Sequence, residues 1–179
     1  MEAPAPVEPA RAEAPVPASA PQPPVLRGEG VFRFDAQGRL VLDPGTRQRL
    51  ESLLALHAGD ALDRRVESEL ASLPAAAAAR ARELVAQFEA YGTAQRAAYP
   101  PGQAPLVPEE GLAQLAGLQA LRASHFGAEA ARQMFEQDDA VARRLLELMR
   151  DDAAATLSME EKAVRALGRF DIERGAVRP

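Results

Sequence analysis

Apolar residues recur at helical spacing along most of the chain, and this pattern predicts a mainly α-helical fold. Residues on one face of a helix recur every three or four positions. The spacing predicts a first helix that ends near Gly59, a second that stops at Pro74, and a third that starts near Ala75 and ends before Pro100. The expected inward residues are Leu50, Leu53, Leu54, Leu62, Val66, Leu70, Leu84, Phe88 and Tyr91. Three helices with short connections predict a small three-helix mini-domain over residues 26–98.

A second set of helical patterns follows residues 99–108. This segment contains four prolines and one glycine, so we predict a Pro-rich linker there. Beyond it, leucines predict a helix that breaks at Gly127, followed by a short helix to Phe135 and by two more helices. Residues 109–179 are therefore predicted to form an extended helical region.

Polar residues predict where two helices begin and where the chain turns. Residues 31–42 alternate apolar and polar side chains around Asp-Ala-Gln-Gly, which predicts a short hairpin or two extended pieces. Asp43 or Thr46 is the expected cap of the first helix. Ser158 and Glu161 have the spacing of a capping box at the start of the last helix.

The first part of the chain has a different composition. Residues 1–24 hold eight of the fifteen prolines and seven alanines. Proline removes backbone donors, and such a segment has little apolar surface to bury. We predict a disordered Ala/Pro-rich linker over residues 1–25. It is either a tail without function or a spacer between a membrane anchor and a folded domain.

Composition and motif content exclude several classes of function. The net charge is −5 and the isoelectric point is about 5.2, so nucleic acid is not an expected partner. His57 and His125 are the only histidines, and neither has metal-ligand spacing to the other. The sequence holds no G-x-S-x-G motif and no phosphate-binding loop. We therefore predict no catalytic residue, no metal and no cofactor, and hence no enzyme.

The acidic segment Glu136-Gln137-Asp138-Asp139 is open to two interpretations. Calcium loops of the EF-hand type alternate acidic residues before a glycine, and this segment does not. Acidic residues also stabilise the start of a helix through its dipole, and Asp139 has the spacing to pair with Arg143. The structural interpretation is the stronger of the two.

Two segments resemble motifs of one protein family. Leu121–Leu146 reads LRASHFGAEAARQMFEQDDAVARRLL and resembles the L-R-R-x-[HY]-F-G-A-E-x-A-x-x-[LM]-F segment of the lipase-specific foldases, which are steric chaperones of secreted bacterial lipases. Val31–Leu42 resembles the N-terminal motif of that family, and the two motifs occur in the same order. The resemblance implies that residues 26–98 are the first mini-domain and that residues 109–167 begin the extended helical region. The family's second mini-domain has no counterpart here.

The resemblance also implies a partner-binding face on the first helix. The family's functional motif reads R-x-x-F-D-Y-[FC]-L-S-A, and Arg47 and Leu54 match it. Ser52 and Ala55 stand where the family has tyrosine and serine, so two polar groups that fix orientation at an interface are missing. The implied partner-binding residues are Arg47, Leu50, Glu51 and Leu54. Both leucines are equally well explained as core residues.

Phe126 and Gly127 are predicted to form a structural hinge. Glycine commonly ends a helix in a left-handed conformation. We therefore expect Gly127 to redirect the chain, with Phe126 packed under the corner and fixing the angle between the two helices.

The resemblance implies a steric foldase that assists the folding of a secreted lipase or phospholipase. Its location would be periplasmic, with an inner-membrane anchor that is absent from this chain. The alternative is a helical protein-binding adaptor or inhibitor without foldase activity, because two small helical units cannot cover every apolar face. Co-refolding with an unfolded lipase separates these hypotheses.

Overall fold

The computed structural model describes residues 30–154 and 156–176, and this part of the chain is mainly α-helical, as predicted. Within it lie six helices: α1 (Pro44–Leu56), α2 (Asp60–Leu70), α3 (Ala75–Ala98), α4 (Pro108–Phe126), α5 (Ala128–Arg150) and α6 (Met159–Ala176). None of these helices is both long and apolar enough to cross a bilayer. The predicted disorder of residues 1–25 concerns a segment outside the described residues.

A hairpin-like segment precedes the first helix, as the alternating pattern predicts. Phe34 and Leu40 form an isolated antiparallel bridge, and the turn closes with a hydrogen bond of 2.9 Å from the Gly38 amide to the Asp35 carbonyl oxygen. The segment packs against the helices through the buried ring of Phe32. It therefore forms part of the core.

The start of α1 is fixed by two polar side chains. The carboxylate of Asp43 caps the helix and accepts a hydrogen bond of 2.7 Å from the Thr46 amide. The buried hydroxyl of Thr46 donates to the carbonyl oxygen of Val41 at 2.9 Å. Pro44 occupies the first turn, where its missing N–H costs no hydrogen bond. Asp43 is therefore the cap, and Thr46 ties the helix to the hairpin-like segment.

The loop between α3 and α4 lies where the Pro-rich linker is predicted. The apolar core nevertheless continues across it. Phe126, Met134 and Phe135 belong to the same buried cluster as Leu50 and Phe88. The helices on either side of the loop therefore share one core, while the division into separate domains stays a prediction.

Helix α5 runs back along α4 without interruption. Leu146 of α5 covers Gly111 near the start of α4, where an added Cβ would come within 2.6 Å of the leucine Cδ2. The prediction of a short helix that ends at Phe135 is therefore wrong, because α5 continues through the acidic residues to Arg150. Propensity alone does not end a helix there, since aspartate is only a moderately poor helix former.

The last helix, α6, packs on the C-terminal half of α5. Leu148, Met149 and Ala166 form a second, small buried cluster. The capping box is confirmed at its start: the Ser158 amide donates to a Glu161 carboxylate oxygen at 2.8 Å, and the Glu161 amide donates to the Ser158 hydroxyl at 3.2 Å. The backbone hydrogen bond from Ser158 lowers the pKa of Glu161.

Candidate functional site

Arg47 lies on the second turn of α1 and connects this helix to α5. Its guanidinium donates to Glu51, one turn further on, at 3.2 Å and to the carboxylate of Asp138 on α5. The guanidinium carbon lies 5.2 Å from the centroid of the Phe135 ring. The Arg47 side chain is only 13 % exposed. Little of the Arg47 side chain is therefore accessible to a partner, and its contacts hold α1 against α5.

Arg122 and Asp139 form a partly buried ion pair between α4 and α5, with each side chain 14 % exposed. The Arg122 Nε donates to the Tyr91 hydroxyl at 3.1 Å, and its guanidinium carbon lies 4.3 Å from the centroid of the Phe135 ring. Burial opposes the charge of Arg122, but the hydrogen bonds with Tyr91 and Asp139 outweigh it and raise the pKa above its ordinary value. The arginine therefore stays charged inside the fold.

Four aromatic rings form the centre of this region. Phe126 lies 4.6 Å from Phe88, 5.3 Å from Tyr91 and 5.9 Å from Phe135, measured between ring centroids. Aromatic rings at such separations attract each other beyond their apolar burial. Phe126 is therefore buried under the α4–α5 corner, as expected for one half of the predicted hinge.

Gly127 forms the whole connection between α4 and α5. Its φ of 81° is positive, as predicted, but its ψ of 151° lies outside the left-handed helical region. This conformation is adopted almost only by glycine. The prediction of a left-handed helical conformation at Gly127 is therefore correct for φ and wrong for ψ. The more extended backbone lets a single residue reverse the chain.

An open cleft of ≈ 470 Å³ lies between the end of α1 and the C-terminal half of α3. Its apolar lining includes Leu54, Phe88 and Tyr91, whereas Glu51 and Glu89 supply charge at its edge. The lining is polar and apolar in similar measure, and the volume of the cleft lies within the range of ligand-binding pockets. The cleft can take up an apolar side chain from a partner.

Two of the four residues of the predicted partner-binding face line this cleft. Glu51 and Leu54 are partly exposed there, whereas Leu50 is 0 % exposed and belongs to the core. Because a fully buried side chain cannot contact a partner without opening the fold, the prediction does not suit Leu50 in this conformation. Contact through Glu51 and Leu54 stays a prediction.

Sequence reasoning missed the role of the paired aspartates. Asp138 and Asp139 lie in the interior of α5 and bind two different helices through Arg47 and Arg122. Neighbouring helical residues point about 100° apart, which lets the two carboxylates face different partners. The acidic segment was visible in the sequence, but its partners are distant along the chain.

The remaining titratable groups do not assemble a metal centre in the described part of the chain, where no group of three or more His, Asp or Glu side chains converges. His57 lines the cleft, and the His125 ring lies 6.1 Å from that of Tyr91. A second groove of ≈ 350 Å³ between α4 and α5 is lined by alanines and by charged side chains, among them Arg122, Arg132 and Asp139. These three residues are all engaged in ion pairs.

In comparisons with known proteins, no family model and no curated protein matches this chain. The likeness to the lipase-specific foldases therefore rests on the motif residues themselves.

Proposed function

We propose that this protein is a steric folding chaperone, or foldase, for a secreted lipase-like enzyme. The supporting observation is that the functional-motif segment of α1 and the Leu121–Leu146 segment meet around one aromatic cluster. The α1 segment contributes Arg47, which contacts Phe135. The α4–α5 corner contributes Phe126, which packs behind the cleft against Phe88 and Tyr91.

The cleft is the proposed contact surface for the client. Glu51 and Leu54 present one charged and one apolar group to the cleft, and the largely buried rings of Phe88 and Tyr91 also line it. The helices that carry these residues are held by ion pairs between helices and by ring packing, so the surface is preorganised. Preorganisation reduces the entropy that is lost when a partner binds.

A foldase with such a surface would act by differential binding. It would bind the transition state for client folding more tightly than the compact intermediate, which lowers the barrier between them. No covalent step and no nucleotide is part of this mechanism. The proposal includes a periplasmic location, because its client is secreted.

Co-refolding tests the proposal. A bacterial triacylglycerol lipase that depends on a foldase is denatured, diluted with or without the protein, and assayed for recovered activity. We expect the protein to raise the yield of active lipase. If the protein co-purifies with the lipase but recovers no activity, it is an adaptor or inhibitor. If it does neither, the proposal is wrong for this client class.

A cleft-blocking variant identifies the surface. Ala55 is exposed and lines the cleft, so Ala55→Arg should fill its mouth without disturbing the core. Ala79 is an exposed alanine on α3 that does not line the cleft, and Ala79→Arg is the matched control. We expect the first variant to lose most of the refolding activity and the second to keep it. Equal activity of the two variants would show that the client binds elsewhere.

A further inference from the structure

A groove of ≈ 310 Å³ lies beside α1 and faces another side of this helix than the cleft. Val31, Leu53 and Leu56 form its apolar surface, and Leu56 is 78 % exposed. Two arginines, Arg49 and Arg65, lie beside this surface, and none of the described residues that line the groove is acidic. The groove therefore suits a segment that combines an apolar side chain with a carboxylate.

Arg49 is the arginine of the groove that lacks a counterion among the described residues. Its Nε and Nη2 atoms are buried and have no hydrogen-bond partner. Arg65, by contrast, pairs with Glu69 of α2. The carboxylate of Asp43, at the start of α1, is engaged by Arg33. A buried guanidinium group without a partner is costly, so a carboxylate placed at Arg49 would stabilise the fold.

We propose that residues 26–29 of this chain occupy the groove, with the Glu29 carboxylate bound to Arg49 and the Leu26 side chain packed on Leu56. The segment reads Leu-Arg-Gly-Glu. Its first and last residues are three positions apart, so they share one side of a polyproline II conformation, which has three residues per turn. The basic residue between them then points to another side. The segment thus offers one apolar and one acidic group to a groove with an apolar surface and a cation.

The place where the described chain begins supports this occupant. Val31 lines the groove, and its amide donates to a carboxylate of α2 at 2.9 Å, which fixes the point where the preceding residues arrive. Glu29 is two residues from Val31, so their Cα atoms lie within roughly 7 Å of each other. Leu26 can reach about 17 Å from Val31. Residues 48–56 of α1, which border the groove, span about 12 Å. The segment is therefore long enough to follow the groove.

Backbone ¹⁵N relaxation of the full chain tests the proposal. We expect order parameters near the rigid value of about 0.85 at residues 26–29, and a fall below about 0.6 in Arg49→Gln. Arg64 is an exposed arginine of α2 that does not line the groove, and Arg64→Gln is the matched control that should keep the order. Values below about 0.6 in the wild type overturn the proposal and leave the groove to a partner. An equal effect of the two substitutions overturns it as well.

A charge exchange provides a second test that does not depend on the glutamine variant folding. Glu29→Arg alone should release the segment, because two like charges would meet in the groove. Glu29→Arg combined with Arg49→Glu should restore its order. If the double variant is no more ordered than the single one, the proposal is wrong. Order that is lost on dilution would mean that a second copy supplies the segment, which also overturns it. The measurement contains no lipase, so its outcome is independent of the refolding test at the cleft.

Discussion

Asp139 is the residue whose loss the fold should tolerate least among the charged groups. Its partner Arg122 is partly buried between α4 and α5 and retains only the Tyr91 hydroxyl and the face of the Phe135 ring when the carboxylate is removed. An unpaired buried charge is expensive, whereas an apolar pair of similar size is often tolerated. The pair therefore contributes more to the specificity of packing than to net stability.

We expect Asp139→Ala to lower the free energy of unfolding by about 1–3 kcal/mol. Replacing both partners, with Arg122→Met and Asp139→Leu, should cost less than this single change. Denaturant unfolding measures both effects. Asp151→Ala, at an exposed aspartate, is the control and should change little. If Asp139→Ala is as mild as the control, the buried pair is energetically unimportant.

Gly127 carries a conformational requirement that no other residue type meets. A Cβ there would meet nothing within 4 Å, so the cost of substitution lies in the backbone. We expect Gly127→Val to destabilise the fold by about 1–3 kcal/mol. Ala128→Val, at the adjacent exposed alanine, should cost only a few tenths of a kcal/mol through helix propensity. Equal thermal stabilities of the two variants would show that the corner accepts a side chain.

Protonation of Asp43 at acidic pH should lower the stability of the fold. Its partial burial acts to raise the pKa, but the hydrogen bonds from the Thr46 amide and from Arg33 outweigh this and lower it. A lowered folded pKa adds stability that is present above the ordinary aspartate pKa of about 3.9 and is lost as the pH falls through the folded value. Asp43→Asn keeps the cap but cannot titrate.

We therefore expect the free energy of unfolding to fall more steeply below about pH 4 in the wild type than in Asp43→Asn. Denaturant titrations from neutral pH to acid measure the difference. Other carboxylates with lowered pKa values, such as Glu67 and Glu173, contribute equally to both proteins. Parallel curves would mean that the charge of Asp43 does not stabilise the fold.

At the scale of elements, the long helix α5 shows what the sequence predicts and what it does not. The caps and the breaks at Pro74 and Gly127 are local features, and local backbone chemistry makes them predictable. Continuity through Asp138 and Asp139 depends on arginines of two other helices. Contacts between distant residues override local propensity, and one sequence does not reveal them.

The contact between Arg47 and Asp138 connects α1 with α5 and can be weighed by a double-mutant cycle. Asp138→Ala should cost well under 1 kcal/mol, because Asp138 is mostly exposed. Arg47→Ala should cost more, about 1–2 kcal/mol, because it also removes packing on Phe135. Unfolding of both single variants and the double variant gives the coupling energy. If Arg47→Ala costs no stability, the role of Arg47 lies outside the fold.

At the scale of the whole molecule, the continuous core decides how the chain behaves when the loop between α3 and α4 is cut. Phe126, Met134 and Phe135 are buried with residues from the other side of that loop. Burying each such side chain contributes about 2 kcal/mol. The loop is exposed around Gly102 and Gln103, so a protease site can be inserted there.

We expect the cleaved protein to elute as one particle in gel filtration and to keep its helical spectrum. Separation of the two fragments would show that the Pro-rich segment divides independent domains, as its composition predicts. The control is the protein without the inserted protease site, which is treated in the same way to detect cleavage elsewhere.

The sequence predicts most of the helices but little of the candidate site. Apolar spacing places α1, α2 and α3 correctly because each helix has one face turned to the core. The burial of Leu50 and Arg47 depends on how α5 crosses α1, which no local pattern encodes. The cleft likewise arises from the relative placement of α1 and α3.

The position of Tyr91 gives the protein an optical property. The chain has two tyrosines and no tryptophan. Tyr99 lies at the end of α3 with its hydroxyl over Gly117, whereas Tyr91 is buried against Phe126 and bound by Arg122. Tyr99→Phe would therefore leave one fluorophore at the meeting point of α3, α4 and α5. Its emission and near-ultraviolet dichroism would follow the joining of these helices, without an added label.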